Sequence, residues 1–187
     1  MVHLALDLAG TIRHDGNGGV IDDLADTARC RAWLADQTEP GAELDLEHTR
    51  ARVVELRRAV RSLFAHAVAP QPPNHADAGN LLDRAVAIAV VNAAAAEVPR
   101  TAVLDWPDDT EPQLGWTSAA TDAETALLAR LARATIDLLT GEDRARLRAC
   151  PAPRCVRYFV QEHPRQAWCK PSCGNRARVS RYYQRHH

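Results

Sequence analysis

Apolar residues recur at helical spacing over most of the chain, and the longest such pattern lies between about Asp45 and Val68. It ends at the sequence APQPPNH, where three prolines within four residues cannot continue a helix. Ala85–Val98 is the most apolar segment, and we expect it to be a buried core helix. Three further segments have the same helical pattern. The first is capped by Asp22 or Asp23 and runs to about Ala35, and the second starts at Asn80 or a neighbour and ends near Pro99. The third follows the capping-box sequence TDAE (Thr121–Glu124) and ends at Gly141.

Only one segment has the pattern of strands. Thr101–Trp106 and Gln113–Thr117 flank PDDTEP, a turn-rich interval, and together they predict a short hairpin that carries Trp106 and Trp116. The predicted fold is therefore mainly α with a short β-hairpin. A helical N-terminal domain would be followed by a small C-terminal module that contains four of the five cysteines.

The charges divide the chain into two parts. Residues 1–143 contain 12 basic and 23 acidic side chains, a net charge of −11, whereas residues 144–187 contain 11 basic side chains and only Glu162 as an acid, a net charge of +10. We therefore predict two domains, 1–143 and 144–187. The basic module predicts an anionic partner: DNA, an acidic protein surface, or the acidic body of its own chain.

Four of the five cysteines lie in the basic module, with the spacing Cys150-x4-Cys155-x13-Cys169-x3-Cys173. Two close pairs separated by a short excursion are typical of a tetrahedral zinc site to which each pair contributes two thiolates. Four thiolates leave no coordination position for water, so one structural Zn²⁺ is expected. The alternatives are two disulfides, four unpaired cysteines, or a site in which His163 replaces one cysteine.

The sequence predicts neither export nor a membrane span. Its opening, MVHLALDLAG, has no basic segment, and Asp7 interrupts its apolar run. Ala85–Val98 is too short to cross a bilayer and contains Asn92. The expected compartment is the cytoplasm, where reducing conditions favour a metal site over disulfides. Cys30, among apolar neighbours on the first predicted helix, is expected to be a small buried residue.

The cysteine-rich segment resembles a known zinc finger. CPAPRC followed by WCKPSCGNRARVSRYYQR is similar to the CGNR zinc finger, which is named for the residues that stand here as Cys173 to Arg176. In that family the finger follows a helical domain called ABATE, in bacterial proteins described as stress-induced transcription regulators. LDLAGT (Leu6–Thr11) resembles the LDFVNT-like opening of that domain, with Gly10 at the position of its Asn. The resemblance implies a DNA-binding finger on a domain that senses a signal.

The segment after Cys173, GNRARVSRYYQRHH, has the pattern of a helix with two different faces. We expect one face to contact DNA and the other, with Val179 and Tyr183, to dock on the zinc module. The predicted DNA-contacting residues of the helix are Arg178, Arg181, Tyr182 and Arg185.

Other residues of the basic module have predicted roles beside this helix. Arg157 and Arg165 are expected to extend the DNA-binding surface. Arg176 and Asn175 are the candidates for contacts with the zinc thiolates, whose net negative charge an arginine would offset. His186 and His187 are expected to be solvated.

Residues 1–143 contain no recognisable catalytic signature, and their histidines (His3, His14, His48, His66, His75) are scattered. The protein is therefore not expected to be an enzyme. A pocket for a small-molecule effector would need a mostly apolar lining with a few polar groups. The residues best suited to line one are Asp7, Thr11, Arg57, Asn92, Trp106 and Trp116, although for each of them a structural role is the simpler explanation.

Two functions follow from these patterns. The first is a transcription regulator whose basic helix contacts DNA and whose helical body either dimerises or binds an effector. A homodimer would be useful because one small finger buries little DNA surface. The second is a zinc-stabilised interaction module whose basic helix meets an acidic protein.

Overall fold

The computed structural model describes residues 3–17, 19–72, 74, 76–77, 79–119 and 122–186. Thr121, His75, His187 and the side chain of His186 lie outside the described residues. The described helices are α1 (Leu4–Gly10), α2 (Thr27–Ala35), α3 (Leu46–Ala67), α4 (Arg84–Ala96), α5 (Ala123–Thr140) and α6 (Pro171–His186). None of them combines the length and the apolar character needed to cross a membrane.

Within the described residues the strands form three antiparallel hairpins: β1 (Ile12–His14) with β2 (Val20–Asp22), β3 (Arg100–Asp105) with β4 (Gln113–Ser118), and β5 (Leu147–Ala149) with β6 (Tyr158–Val160). The mainly helical class and the hairpin β3–β4 are confirmed. The prediction of a single hairpin is wrong, because strands of three residues are too short to show an alternating pattern.

Helix α3 is the centre of the helical domain. Asp45 caps it by accepting the N–H of His48, and it ends before Val68, as the sequence predicts. Its apolar face buries Val53, Val60 and Phe64 completely. Helices α1, α2, α4 and α5 all pack against it, so most of the hydrophobic core lies around this one helix.

Three predicted helix properties are wrong in detail. Helix α2 is capped by Asp26, three or four residues later than the predicted cap Asp22 or Asp23, because Val20–Asp22 pair as a strand. Helix α5 is capped by Asp122 instead of Thr121, and Glu124 reaches across to bind Thr49 on α3. The third is α4, which buries only the face that contacts α3 and α5 and leaves Val86 49% and Ile88 43% exposed.

The basic module is packed against the helical domain. Leu147, Ala149 and Tyr158 of the hairpin β5–β6 belong to the same hydrophobic core as α3. The ring of Tyr158 meets Phe64 of α3 edge to face, with 5.6 Å between ring centroids. The 3₁₀ helix Glu142–Arg146, which contains no buried residue, leads directly from α5 into β5, and the predicted boundary at residue 143 lies within it.

A buried ion pair of the helical domain makes two further contacts with the basic module. Arg61 of α3 is 2% exposed, and its guanidinium binds both carboxylate oxygens of Asp77 at 2.5 and 3.0 Å. The same guanidinium donates to the carbonyl oxygens of Ala9 (2.6 Å) and Val156 (3.0 Å). The hydroxyl of Tyr158 donates to Asp77 at 2.7 Å, and burial, followed by the charge of Asp77, raises the pKa of Tyr158. Arg61 thus connects α1, the segment after α3 and the start of the zinc module.

We expect Asp77→Ala to lower the free energy of unfolding by about 3–5 kcal/mol, because it leaves the buried charge of Arg61 without its carboxylate. Urea unfolding followed by circular dichroism measures this. The matched control is Asp36→Ala, an exposed aspartate at the end of α2, for which a change within about 0.5 kcal/mol is expected. Equal losses in the two variants would contradict a central role for the Arg61 cluster.

Candidate metal centre and basic helix

The first cysteine pair lies in the connection between β5 and β6. Cys150 follows β5, and its N–H donates to the carbonyl of Arg157 at 2.9 Å. The chain then turns, with Arg154 in the left-handed region (φ 62°) and the N–H of Cys155 donating to the carbonyl of Ala152 at 3.0 Å. This tight turn brings the two thiols of CPAPRC to the same side of the loop.

The second pair lies at the start of α6. Pro171 is the first residue of the helix, a position where its missing N–H costs nothing, and Cys173 lies in the first turn. Cys169 precedes the helix, and its N–H donates to the sulfur of Cys150 at 3.5 Å. The helix start is thereby joined to the β5–β6 loop through the sulfurs.

The four sulfurs form a compact cluster. The Sγ atoms of Cys155, Cys169 and Cys173 are 3.6–3.8 Å apart, and all four, with Cys150, lie within 4.8 Å of one another. A tetrahedral zinc ion with Zn–S bonds of about 2.3 Å requires S–S separations of about 3.8 Å. The predicted four cysteines therefore fit one structural Zn²⁺.

The sulfurs shift one another's protonation. Hydrogen bonding with Cys150 lowers the pKa of Cys155 to about 2, whereas hydrogen bonding with Cys155 raises that of Cys150 to about 11. Hydrogen bonds with the same two residues raise the pKa of Cys169 well above its usual value. The thiolate of Cys155 forms readily, whereas the thiols of Cys150 and Cys169 resist deprotonation. Binding of a dication must drive those protons off, and acid should oppose it.

Each residue of the CGNR sequence has a contact that explains it. Cys173 supplies a sulfur, and Gly174 leaves room for the indole of Trp168, because a Cβ there would lie 3.1 Å from the ring. Arg176 donates to the sulfur of Cys173 at 3.4 Å, as expected for a residue that offsets thiolate charge. The expectation for Asn175 is wrong: it is exposed, and its side-chain oxygen accepts from Arg178.

The basic helix extends away from the metal centre. All residues from 181 to 185 are exposed, so the last turns of α6 are not folded against the acidic helical domain. Val179 is 55% and Tyr183 58% exposed, so the prediction that they dock on the zinc module is wrong. Packing holds only the first turns of α6, through Cys173 and Ala177. Arg178, Arg181, Tyr182 and Arg185 are all exposed, in agreement with a surface role.

The two arginines predicted to extend the DNA-binding surface, Arg157 and Arg165, lie in different environments. Arg165 is exposed in the segment between the cysteine pairs, as is His163, which is not part of the sulfur cluster. Arg157 is half-buried and faces α1, where its charge offsets part of the rise in the pKa of Asp7 that burial causes. Arg157 therefore belongs to the junction with the helical domain and not to the exposed basic surface.

Two family models match the chain. The first, ABATE, is described as "Putative stress-induced transcription regulator" and matches residues 2–142. The chain belongs to the ABATE family. The second, described as the CGNR zinc finger, matches residues 146–186, so the expected arrangement of an ABATE domain followed by a CGNR finger is confirmed. Comparison with curated proteins gave no match.

The six residues predicted to line a ligand pocket do not converge in the ABATE domain. Thr11 and Arg57 do meet: Arg57 donates to the Thr11 hydroxyl at 3.0 Å and binds Asp22 with two hydrogen bonds. Burial would raise the pKa of Asp22, but the bonds to Arg57 outweigh it and the pKa is lowered. This ion pair anchors the hairpin β1–β2 to α3, a structural role that polarity alone did not distinguish from ligand binding.

The other predicted pocket residues lie elsewhere. Trp106 and Trp116 are 63% and 54% exposed on the hairpin β3–β4, so they do not point into the domain. Asn92 lies at the edge of a groove of about 440 Å³ between the ends of α3, α4 and α5. Sequence analysis missed the residues around Asn92 in this groove, Arg84 and Arg144, because each is an isolated arginine with no recognisable motif.

We expect Cys169→Ser to abolish stoichiometric zinc binding, because a serine hydroxyl is not deprotonated and cannot replace the fourth thiolate. Metal analysis and a free-thiol count measure this, and circular dichroism should show that the helical domain persists. Cys30→Ala, which removes a buried thiol far from the cluster in sequence, is the control and should keep one zinc per chain. Full zinc occupancy in Cys169→Ser would refute the ligand set.

Proposed function

We propose that this ABATE protein is a DNA-binding transcription regulator without enzymatic activity, and that α6 is its DNA-contacting element. The observation that carries the proposal is the construction of α6: its first turn is fixed by the sulfur cluster, and its last turns are exposed and cationic. A helix held at one end by a metal centre can enter a groove without first becoming ordered. At 16 residues it is about 24 Å long, and the major groove of B-DNA admits an α-helix.

The charges on α6 support a nucleic-acid partner. Arg181 and Arg185 are exposed, and in the part of the chain that the structure describes neither forms an ion pair with an acidic side chain. Their charges are therefore available for phosphate contacts, which supply most of the affinity of such proteins for DNA. The exposed tyrosine Tyr182 lies on the same face and could contact sugars or bases.

A protein partner is the second candidate. Val179 and Tyr183 are exposed on the opposite face of α6, and the ring of Tyr183 lies edge to face with that of Tyr182 at 5.9 Å. Exposed aromatic and aliphatic groups favour a protein interface. Preference among DNA duplexes of different sequence separates the two functions, because an acidic protein surface and DNA would both give salt-dependent binding.

We further propose that the groove beside Asn92 binds a small amphipathic carboxylate as an effector. Leu63, Val91 and Leu139 form part of its apolar wall, and its described lining contains Arg84 and Arg144 but no acidic side chain. A ligand of this kind would place its carboxylate between the two arginines and its hydrocarbon chain on the apolar wall. Arg144 belongs to the 3₁₀ helix that leads into β5 and Cys150, so a ligand that holds Arg144 could alter the position of the finger.

We expect Arg181→Ala and Arg185→Ala each to weaken duplex binding and to reduce its dependence on log salt concentration by about 0.9 for each phosphate that the variant no longer neutralises. Fluorescence anisotropy at several salt concentrations measures both quantities, and zinc content should not change. Arg31→Ala removes the same charge from an exposed position on α2 and should leave binding unchanged. Unaltered DNA binding in both α6 variants would exclude α6 as the DNA-contacting element.

Octanoate should raise the melting temperature of the wild-type protein more than 1-octanol does at the same concentration, since only octanoate can pair with an arginine. Arg144→Gln should remove this difference. Arg146→Gln, two residues away and paired with Asp143 outside the groove, should retain it. Equal stabilisation by octanoate and 1-octanol would show that the groove does not select a carboxylate.

A further inference from the structure

The hairpin β3–β4 is exposed on nearly every side. Leu104 is 72% and Leu114 67% exposed, and Trp106 and Trp116 are also more than half exposed. Among the described residues of the two strands, only Val103 and Gly115 are partly covered. An isolated two-stranded hairpin is at best marginally stable in water, so a hairpin with these side chains points to a partner that covers it.

The register of the hairpin collects the apolar side chains on one face. Leu104 pairs with Leu114 and Ala102 with Trp116, and directly paired residues project to the same side of a sheet. The opposite face is already partly closed, because Val103 fills the space beside Gly115, where a Cβ would lie 2.9 Å from its methyl group. We call the side with Ala102, Leu104, Leu114 and Trp116 the apolar face.

The charges along the hairpin are arranged from one end to the other. The tip, residues 105–111, carries Asp105, Asp108, Asp109 and Glu111 and no basic residue. The base carries Arg100, and Arg133 of α5 is close to it: after burial, the charge of Arg100 is the next cause that lowers the pKa of Arg133. The hairpin β3–β4 is therefore acidic at its tip and positively charged at the end nearest α5.

We propose that the apolar face binds the apolar face of a second copy of the chain, with the two hairpins antiparallel about a two-fold axis. In this arrangement the acidic tip of each hairpin lies beside the basic base of the other, whereas a parallel arrangement would bring eight acidic side chains together. An unrelated partner would need to supply the same apolar face and the same opposed charges. A second copy supplies both by symmetry.

The available area matches a weak, concentration-dependent dimer. Leu104, Leu114 and Trp116, each more than half exposed, offer roughly 400 Å² per chain, so that two chains bury about 800 Å², which is in the size range of weak, transient interfaces. The interface would also cover the hairpin face that the monomer leaves in water. This inference extends the proposed function, because a dimer would carry two copies of α6. The dimer is measured without DNA, so the dimer and DNA binding can each be confirmed or refuted separately.

The test is the mass of the zinc-loaded full chain in solution, measured by sedimentation equilibrium over a range of concentrations. We expect a monomer–dimer equilibrium, and we expect Leu104→Lys to raise the dimer dissociation constant at least about tenfold. Thr101→Lys places the same charge on the same strand but on the opposite face, and should change it by less than about threefold. Zinc content and far-ultraviolet circular dichroism should be unchanged in both, since both positions are exposed.

The antiparallel arrangement has its own test. Arg100→Glu and Asp108→Lys should each weaken the dimer, and the double variant should recover at least part of the loss, because the exchanged charges again face each other. A wild-type chain that stays monomeric at every concentration would overturn the proposal, as would equal losses in Leu104→Lys and Thr101→Lys. Losses in the charge variants that simply add would overturn the antiparallel geometry.

Discussion

Arg61 carries a positive charge in the interior of the protein, and a buried charge is tolerated only when it is paired and hydrogen-bonded. Its partners come from separate parts of the chain: the carbonyl of Ala9 at the end of α1, the carboxylate of Asp77, and the carbonyl of Val156 beside the zinc module. Tyr158 completes the cluster by binding Asp77 and by stacking near the guanidinium, 5.3 Å from its ring centroid. Both charges belong to the ABATE domain, and the finger is joined to them through the carbonyl of Val156 and the hydroxyl of Tyr158.

Arg57 lies one helical turn earlier on the same side of α3 and repeats this arrangement for another part of the chain. It binds Asp22 and Thr11 and so fixes the hairpin β1–β2. Thr11 closes the LDLAGT sequence, and its hydroxyl also donates to the carbonyl of Leu8. The opening motif of the family thus has a structural explanation in this chain: it ends where the N-terminal segment meets a buried arginine of the central helix.

The two halves of the finger are stabilised by different means. The β5–β6 hairpin contributes Leu147 and Tyr158 to the main core. The remaining part has only a small cluster around the four sulfurs, with Phe159 and Trp168 as its larger members. That is too little apolar surface to hold the segment, so a metal ion that contributes on the order of 10 kcal/mol would be needed to fix the start of α6. The last turns of α6 and the hairpin β3–β4 are exposed to solvent, and they carry the two proposed interfaces.

The sequence by itself determined the features that depend on local chemistry. The prolines after Val68 ended α3, the turn residues between Trp106 and Gln113 defined β3–β4, and the spacing of four cysteines identified the metal centre. Tertiary structure alone decided the environment of each polar and aromatic side chain. Arg61 is indistinguishable in sequence from an exposed helix arginine and yet is buried. Trp116 and Tyr183 are aromatic residues of the kind usually found in a core and yet are exposed. The reason is physical: helical and strand periodicity specify which residues share a face, but burial depends on which other element covers that face.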